Sequence, residues 1–281
     1  MGGSPLGTNA RRIGHRAKGI GERWKTSFGV ALRFGQCESG YLGMKIDLTF
    51  TPDELEKKDL ANKSVVVIDA LRATTTMTVA FENGAGAFIP VATVEEARDL
   101  VAKNPDFLLA GERRALRLEG FHLGNSPRDY RPDRVKGKTI VMTTTNGTRA
   151  LVASRGGAEV FIGSFLNLTV LCDRLIEAGR DILVACSGEK GLFCLEDTVC
   201  GGAIVERLEK RGVAITKTDA ANAAKILYEQ CEGNIYGFLC TCDWGTYLEG
   251  LGLGKDIRIC AQVDSSKVVP VYREGRIFLD R

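Results

Sequence analysis

The sequence predicts an α/β protein of three layers, α/β/α, with helices on both faces of a mostly parallel central sheet and antiparallel strands at one edge. Three observations lead there. From Met44 onward, short β-rich apolar runs alternate with segments of helical period, the order that builds parallel strands joined by crossover helices. Two of those runs, Val65-Val66-Val67-Ile68 and Ile182-Leu183-Val184-Ala185, are apolar on both faces, as suits a strand covered by helices on each side. The composition, 44% hydrophobic and 26% charged, suits an ordinary globular protein, and 281 residues are enough for one large α/β domain or two smaller ones.

Taken in order, strands are expected at 45–48, 64–68, 87–91, 107–110, 139–143, 159–162 and 181–186. Helices are expected at 74–83, 94–102, 146–154, 166–178 and 196–210. The last third reads differently, as helices at 220–230 and 234–251, then strands at 257–261, 268–272 and 276–279. Arg273-Glu274-Gly275 makes the last two a hairpin, expected to close an edge of the sheet. Residues 67–91 and 140–164 share one order at an offset of 73, with strand, polar turn, helix, Gly-Ala and strand. The repetition suggests an internal duplication of βαβ units, although all such units share that order.

Charge divides the chain. Residues 1–43 hold seven Lys or Arg against two acids, so the overall +3 leaves 44–281 at −2. The body is therefore no basic platform for nucleic acid. The Gly-rich basic stretch 1–43 lacks a hydrophobic signal core and is read as a poorly structured extension, with one α/β domain over 44–281. No apolar run approaches the roughly 18 residues of a membrane span. The nine cysteines form no zinc knuckles with only two histidines, which points to reduced thiols and a cytoplasmic location.

Ligands of open α/β sheets bind beyond the strands' carboxyl ends, so the polar residues there carry the functional reading. Five clusters stand out. Asp69 ends an apolar strand where a charge needs a cation or several donors, and Arg72, Thr74, Thr75 and Thr76 follow it. An Arg fork, hydroxyls and a helix start make an anion site; a structural Asp–Arg pair with a Thr cap is the plainer account. Glu112 and Arg113 follow the strand at 107–110, and Gly124-Asn125-Ser126-Pro127 is a turn that offers two hydrogen-bonding side chains. Thr143-Thr144-Thr145-Asn146-Gly147-Thr148 resembles a phosphate cradle but matches neither a Walker loop nor G-x-G-x-x-G. Gly163-Ser164 offers small residues that permit close approach of a ligand, and they equally suit a plain strand-to-helix turn. Ser187-Gly188 ends a further strand, and Glu196-Asp197 opens the next helix as dipole partners or as ligands of a hard cation. Carboxylates for Mg²⁺ beside donors for an oxyanion are what phosphoryl transfer requires.

These segments, Ile68-Asp69-Ala70-Leu71-Arg72-Ala73-Thr74-Thr75, Gly111-Glu112-Arg113, Gly120 to Pro127, Thr144 to Thr148 and Glu196-Asp197, together resemble the 2-phosphosulfolactate phosphatase family from about Met44 onward. The resemblance implies a three-layer fold of its own kind and hydrolysis of 2-phospho-3-sulfolactate to 3-sulfolactate and phosphate with Mg²⁺, in coenzyme M biosynthesis or sulfolactate metabolism. His122 and Cys242-Asp243-Trp244-Gly245 depart from the family pattern. On this reading Asp69, Glu112, Glu196 and Asp197 are the candidate metal ligands. Asp69 is alternatively nucleophile or base. Arg72, Thr74, Thr75, Thr145, Asn146 and Gly147 hold the phosphate, and Arg113, Asn125, Ser126, Ser164, Ser187 and Gly188 complete the anion site. A phosphatase for another small phosphorylated carboxylic acid and a non-catalytic phospho-metabolite-binding protein are the rival readings. A homodimer is the default assembly.

Overall fold

The computed structural model describes Met1–Gly3 and residues 43–280. The extension read at 1–43 lies almost wholly outside the described residues. Among the described residues eleven strands form one sheet: β1 (Met44–Thr49), β2 (Ser64–Ile68), β3 (Ala87–Pro90), β4 (Leu108–Arg113), β5 (Leu116–Arg117), β6 (Thr139–Thr143), β7 (Glu159–Gly163), β8 (Ile182–Cys186), β9 (Ile215–Lys217), β10 (Pro270–Arg273) and β11 (Arg276–Leu279). The helices are α1 (Pro52–Leu55), α2 (Ala73–Glu82), α3 (Val94–Lys103), α4 (Pro132–Val135), α5 (Gly147–Ala153), α6 (Leu168–Ala178), α7 (Leu195–Lys210), α8 (Asp219–Glu229), α9 (Ile235–Thr241), α10 (Asp243–Gly250) and α11 (Gly254–Cys260). None of these is long and apolar enough to cross a membrane.

The sheet runs β5-β4-β6-β3-β11-β10-β7-β2-β8-β1-β9. One parallel set is β4, β6 and β3; the other is β7, β2, β8, β1 and β9. Side chains of β2 alternate between two apolar clusters, as a strand of period two must. Val66 and Ile68 pack with Leu171, Leu175, Val199 and Ala203 of α6 and α7. Val65 and Val67 pack with Met77, Phe81, Ala150 and Leu151 of α2 and α5. That second cluster also takes in Ile140 and Met142 of β6, so it joins both parallel sets. Val141 turns the other way, onto Val94, Ala97 and Val101 of α3. The expected three layers are therefore present.

The hairpin corrects one expectation. Instead of closing an edge, β10 and β11 lie in the middle, antiparallel to β7 on one side and to β3 on the other. The two units of the sequence echo take matching places about it. The β2–α2–β3 unit crosses from one parallel set to the other, and β6–α5–β7 crosses back.

Three further segments differ. Residues 257–261 are not a strand; α11 covers them to Cys260, and its buried Asp256, Ile257 and Cys260 follow helical spacing. The single helix expected at 234–251 breaks at Cys242, which is extended (φ −66°, ψ 152°) between α9 and α10. Gly245 permits the fold-back, because a Cβ there would collide with the Leu239 carbonyl. Finally, β4 runs past Ala110 through Glu112, which pairs with Arg117 of β5.

Candidate active site

Asp69 leaves the end of β2 into a tight turn. Its Oδ1 accepts the Ala73 N–H (3.0 Å), and its carbonyl oxygen accepts the N–H (3.0 Å) and hydroxyl (2.9 Å) of Thr74. The other carboxylate oxygen, Oδ2, faces the start of α5. A Cβ on Gly147 would sit 2.7 Å from it, so glycine alone gives this carboxylate its room. Burial pushes Asp69 up to about 6; the Ala73 N–H opposes the shift, and the Glu112 charge adds to it.

The hydroxyls near this turn face inward. Thr75 Oγ1 donates to the Ala70 carbonyl (3.0 Å) and Thr76 Oγ1 to the Asn125 carbonyl (3.0 Å). Their hydrogens, like that of Thr74, are committed to backbone and do not reach an anion. The Thr145 hydroxyl is likewise committed, donating to Glu112 Oε1 (2.9 Å).

Two of the acids act as braces between strand-end loops. Glu112 Oε1 also accepts the Thr145 N–H (2.9 Å), and its Oε2 accepts that of Ala115 (2.8 Å). Asp197 Oδ1 accepts the Ala70 N–H (2.8 Å), and its Oδ2 those of Ser187 (3.0 Å) and Gly188 (3.2 Å). Burial and the charges of Asp69 and Glu196 push Asp197 upward, against the pull of the Ala70 N–H. Glu196 differs from both. It is buried at the first turn of α7 and bonds to no other residue's side chain or backbone among the described residues. Burial first, then the charges of Asp69, Glu189 and Asp243, lift it to about 7.

Glu196 opens onto a cavity of about 1000 Å³. Arg113, Arg114 and Lys190 supply cations to its wall, Thr145 and Glu189 line it with Glu196, and Leu192, Phe193, Trp244 and Tyr247 add an apolar part. Arg113 is anchored on the Glu112 carbonyl (2.7 Å). Arg114 and Ala115 adopt left-handed backbone angles (φ 52° and 67°), and the Tyr247 hydroxyl donates to the Arg114 carbonyl (3.3 Å). Asn146 clasps the opposite loop, its Nδ2 donating to Glu189 Oε2 (2.6 Å) and its Oδ1 accepting the Lys190 N–H (3.2 Å).

Asp69, Glu112, Thr145, Asn146, Gly147, Ser187, Gly188, Glu196 and Asp197 thus converge through direct contacts or mutual charge effects. Arg113 joins them on the cavity wall. The Ser187 hydroxyl oxygen is buried without a partner among the described residues. Other residues do not face the cavity. Arg72 is buried behind it, its Nη1 on Asp256 Oδ2 (2.6 Å) and its Nη2 on the Ala115 carbonyl (2.7 Å). The Leu71–Arg72 peptide is cis. Ser126 donates to Asp256 Oδ1 (2.8 Å), and Asn125 adjoins it through the carbonyl that Thr76 holds. Ser164 is a core residue, capped by Asn167 Oδ1 (3.2 Å). Glu189, Lys190, Arg114 and Asp256 were not assigned roles from sequence. Gly188-Glu189-Lys190-Gly191 offers one signal, charged residues between turn-forming glycines; Asp256 offers none.

Among the described residues no three His, Cys, Asp or Glu side chains close into a metal cage. Magnesium does not require one, since it keeps waters and typically takes one or two carboxylates beside substrate phosphate. Asp69, whose Oδ2 has no hydrogen-bond partner among the described residues, and Glu196 fit that demand. Glu112 and Asp197 do not, because backbone N–H groups already hold both oxygens of each.

A family model described as 2-phosphosulpholactate phosphatase matches residues 49–275. A protein of Clostridium acetobutylicum named "Probable 2-phosphosulfolactate phosphatase" is 40% identical over 235 residues, covering 83% of this chain and 100% of that protein. Proteins with the same name from Caldanaerobacter subterraneus and Symbiobacterium thermophilum are 42% and 40% identical, over 80% and 79% of this chain and 94% and 96% of their own lengths.

Proposed function

The chain belongs to the 2-phosphosulfolactate phosphatase family, a family of phosphoric monoester hydrolases, and from that premise we propose that it hydrolyses 2-phospho-3-sulfolactate to 3-sulfolactate and phosphate with the help of Mg²⁺. The reaction would serve coenzyme M biosynthesis or sulfolactate metabolism. The free state of the described cysteines supports a reducing, cytoplasmic setting.

The observation that carries the proposal is the pairing of carboxylates with cations: Glu196 lines one cavity with Arg113, Arg114 and Lys190, and the buried Asp69 lies close enough to raise its proton affinity. Phosphate, carboxylate and sulfonate give the substrate several negative charges. Arg113 offers a fork for a planar or tetrahedral oxyanion, while Lys190 supplies a point charge. Asp69 and Glu196 would hold Mg²⁺. When bound, the ion offsets charge on the transferring phosphoryl group. The brace carboxylates, Glu112 and Asp197, keep the strand-end loops at fixed spacing, which lowers the reorganisation needed during turnover.

Phosphate release from 2-phosphosulfolactate, 2-phospholactate and phosphoglycerate, with Mg²⁺ titrated and with EDTA, tests the reading. The expected result is turnover that requires Mg²⁺ and prefers the sulfonated ester. Equal or better turnover of a carboxylic ester without sulfonate would assign another substrate, and binding without turnover would make the chain a phospho-metabolite-binding protein. Asp69→Asn separates the roles of that residue. Magnesium binding weakened tenfold or more identifies a ligand; unchanged binding with lost turnover identifies the base or nucleophile.

A further inference from the structure

Arg72 has no outlet to the cavity, yet it is the largest fully buried side chain described. Its ion-pair partner Asp256 is wholly buried at the start of α11, 184 residues further along the chain. Asp256 uses both oxygens, Oδ2 on Arg72 and Oδ1 on the Ser126 hydroxyl. Arg72 then passes the constraint onward. Its Nη2 holds the carbonyl of Ala115, whose N–H is held by Glu112 Oε2 (2.8 Å). Ala115 is thereby gripped at both polar backbone groups. It closes the left-handed turn from which Arg113 and Arg114 reach the cavity wall.

We propose that Asp256 is a positioning residue for this enzyme: through Arg72 it fixes the Arg113–Ala115 turn and so sets affinity for the anionic groups of the substrate. A non-glycine residue at positive φ lies above its favoured backbone minimum and reverts unless neighbours hold it. Two such residues in succession need more than one anchor. Glu112 is a local anchor, three residues away, whereas Arg72 and Asp256 tie the turn to a helix distant in sequence. The proposal extends the phosphatase reading, and its turnover arm rests on that reading.

The test uses the full chain and four variants. Asp256→Asn keeps the shape and removes the charge. Arg72→Met with Asp256→Met removes both buried charges together, a replacement that buried ion pairs often tolerate without loss of folding. Ser126→Ala removes one donor to Asp256 and leaves the ion pair intact. Hydrogen exchange of the peptide spanning residues 112–118 reads the brace without reference to any substrate. Exchange at least tenfold faster is expected in Asp256→Asn and in the double variant, with a smaller rise in Ser126→Ala. Kinetics with 2-phosphosulfolactate should show KM raised at least tenfold and kcat changed less than threefold. Asp256→Glu should recover most of the affinity. Folded variants with native exchange at 112–118 and unchanged KM would overturn the proposal. So would an equal fall in kcat without a KM change, which would place Asp256 in the chemical step. Absence of wild-type turnover overturns the substrate reading alone, since exchange still tests the brace.

Discussion

Asp69 and Glu196 are acids kept from water, and their protons respond to that. Folded values near 6 and 7 stand above the ordinary 3.8 and 4.5. Between the unfolded and folded values the native state binds more protons, so stability falls as pH rises through this window. Metal-free protein should therefore be more stable at pH 5 than at pH 8, by on the order of 2 kcal/mol or more, as read from urea titrations at the two pH values. Because the same protons compete with the cation, Mg²⁺ affinity should rise from pH 5.5 to pH 8 in calorimetric titration; a flat profile would remove these two carboxylates from the metal site. Gly147 gives a second residue-scale expectation. In Gly147→Ala the new Cβ meets Asp69 Oδ2 at 2.7 Å and the Ala73 Cβ at 2.9 Å. A loss of about 1–3 kcal/mol in stability and of about a hundredfold in kcat is expected, and full activity would show that Asp69 need not keep this position. Asp69, Glu196 and Gly147 were legible in the sequence because a charge after an apolar strand, an acid opening a helix and a glycine in a strand-to-helix turn are local signals. The threonines were legible only as donors, not in direction. The hydroxyls of Thr74 and Thr75 bond back to carbonyls just before the helix, as Thr78 does to Thr74 (2.8 Å), whereas Thr76 and Thr145 are taken by Asn125 and Glu112, partners distant in sequence.

Among elements, the strands β2 and β8 were readable because burial on both faces leaves a continuous apolar run. The hairpin was readable as a hairpin, from the turn Arg273-Glu274-Gly275, but its slot was not. Placement between β3 and β7 depends on pairings that reach across much of the chain, Ile277 to Phe88 and Val271 to Phe161. The helix α11 was misread for a related reason. Ile257 and Ile259 alternate as a strand's residues would, whereas the decisive contact, Asp256 with Arg72, is distant in sequence. An expectation follows for the hairpin. Ile277 is fully buried in the cluster shared by both parallel sets, so Ile277→Ala should cost about 2–5 kcal/mol. Circular dichroism and site-resolved hydrogen exchange should lose protection together in β3 and β7. Loss confined to the hairpin would mean that the two sets hold together without it.

At the scale of the whole molecule, the two crossover units exchange strands between the parallel sets and share one apolar interior. The cavity then gathers groups from loops after β4, β6 and β8, from the start of α7 and from α10. Ligand binding should accordingly be felt by the fold as a whole. Mg²⁺ at about a hundred times its Kd should add about 2.7 kcal/mol, visible as a higher Tm, and Glu196→Gln should abolish that increment. An equal increment in the variant would locate the ion elsewhere.

The central place of the hairpin also has a bearing on biosynthesis. On the ribosome, β3 and β7 emerge long before the two strands that must stand between them. Until residues 270–279 leave the exit tunnel, both strands keep a bare edge toward the gap, and such edges invite pairing with other chains. Nascent chains of this architecture should therefore depend on chaperone shelter until the hairpin emerges, and a premature stop upstream of Pro270 should direct the product to aggregation or proteolysis.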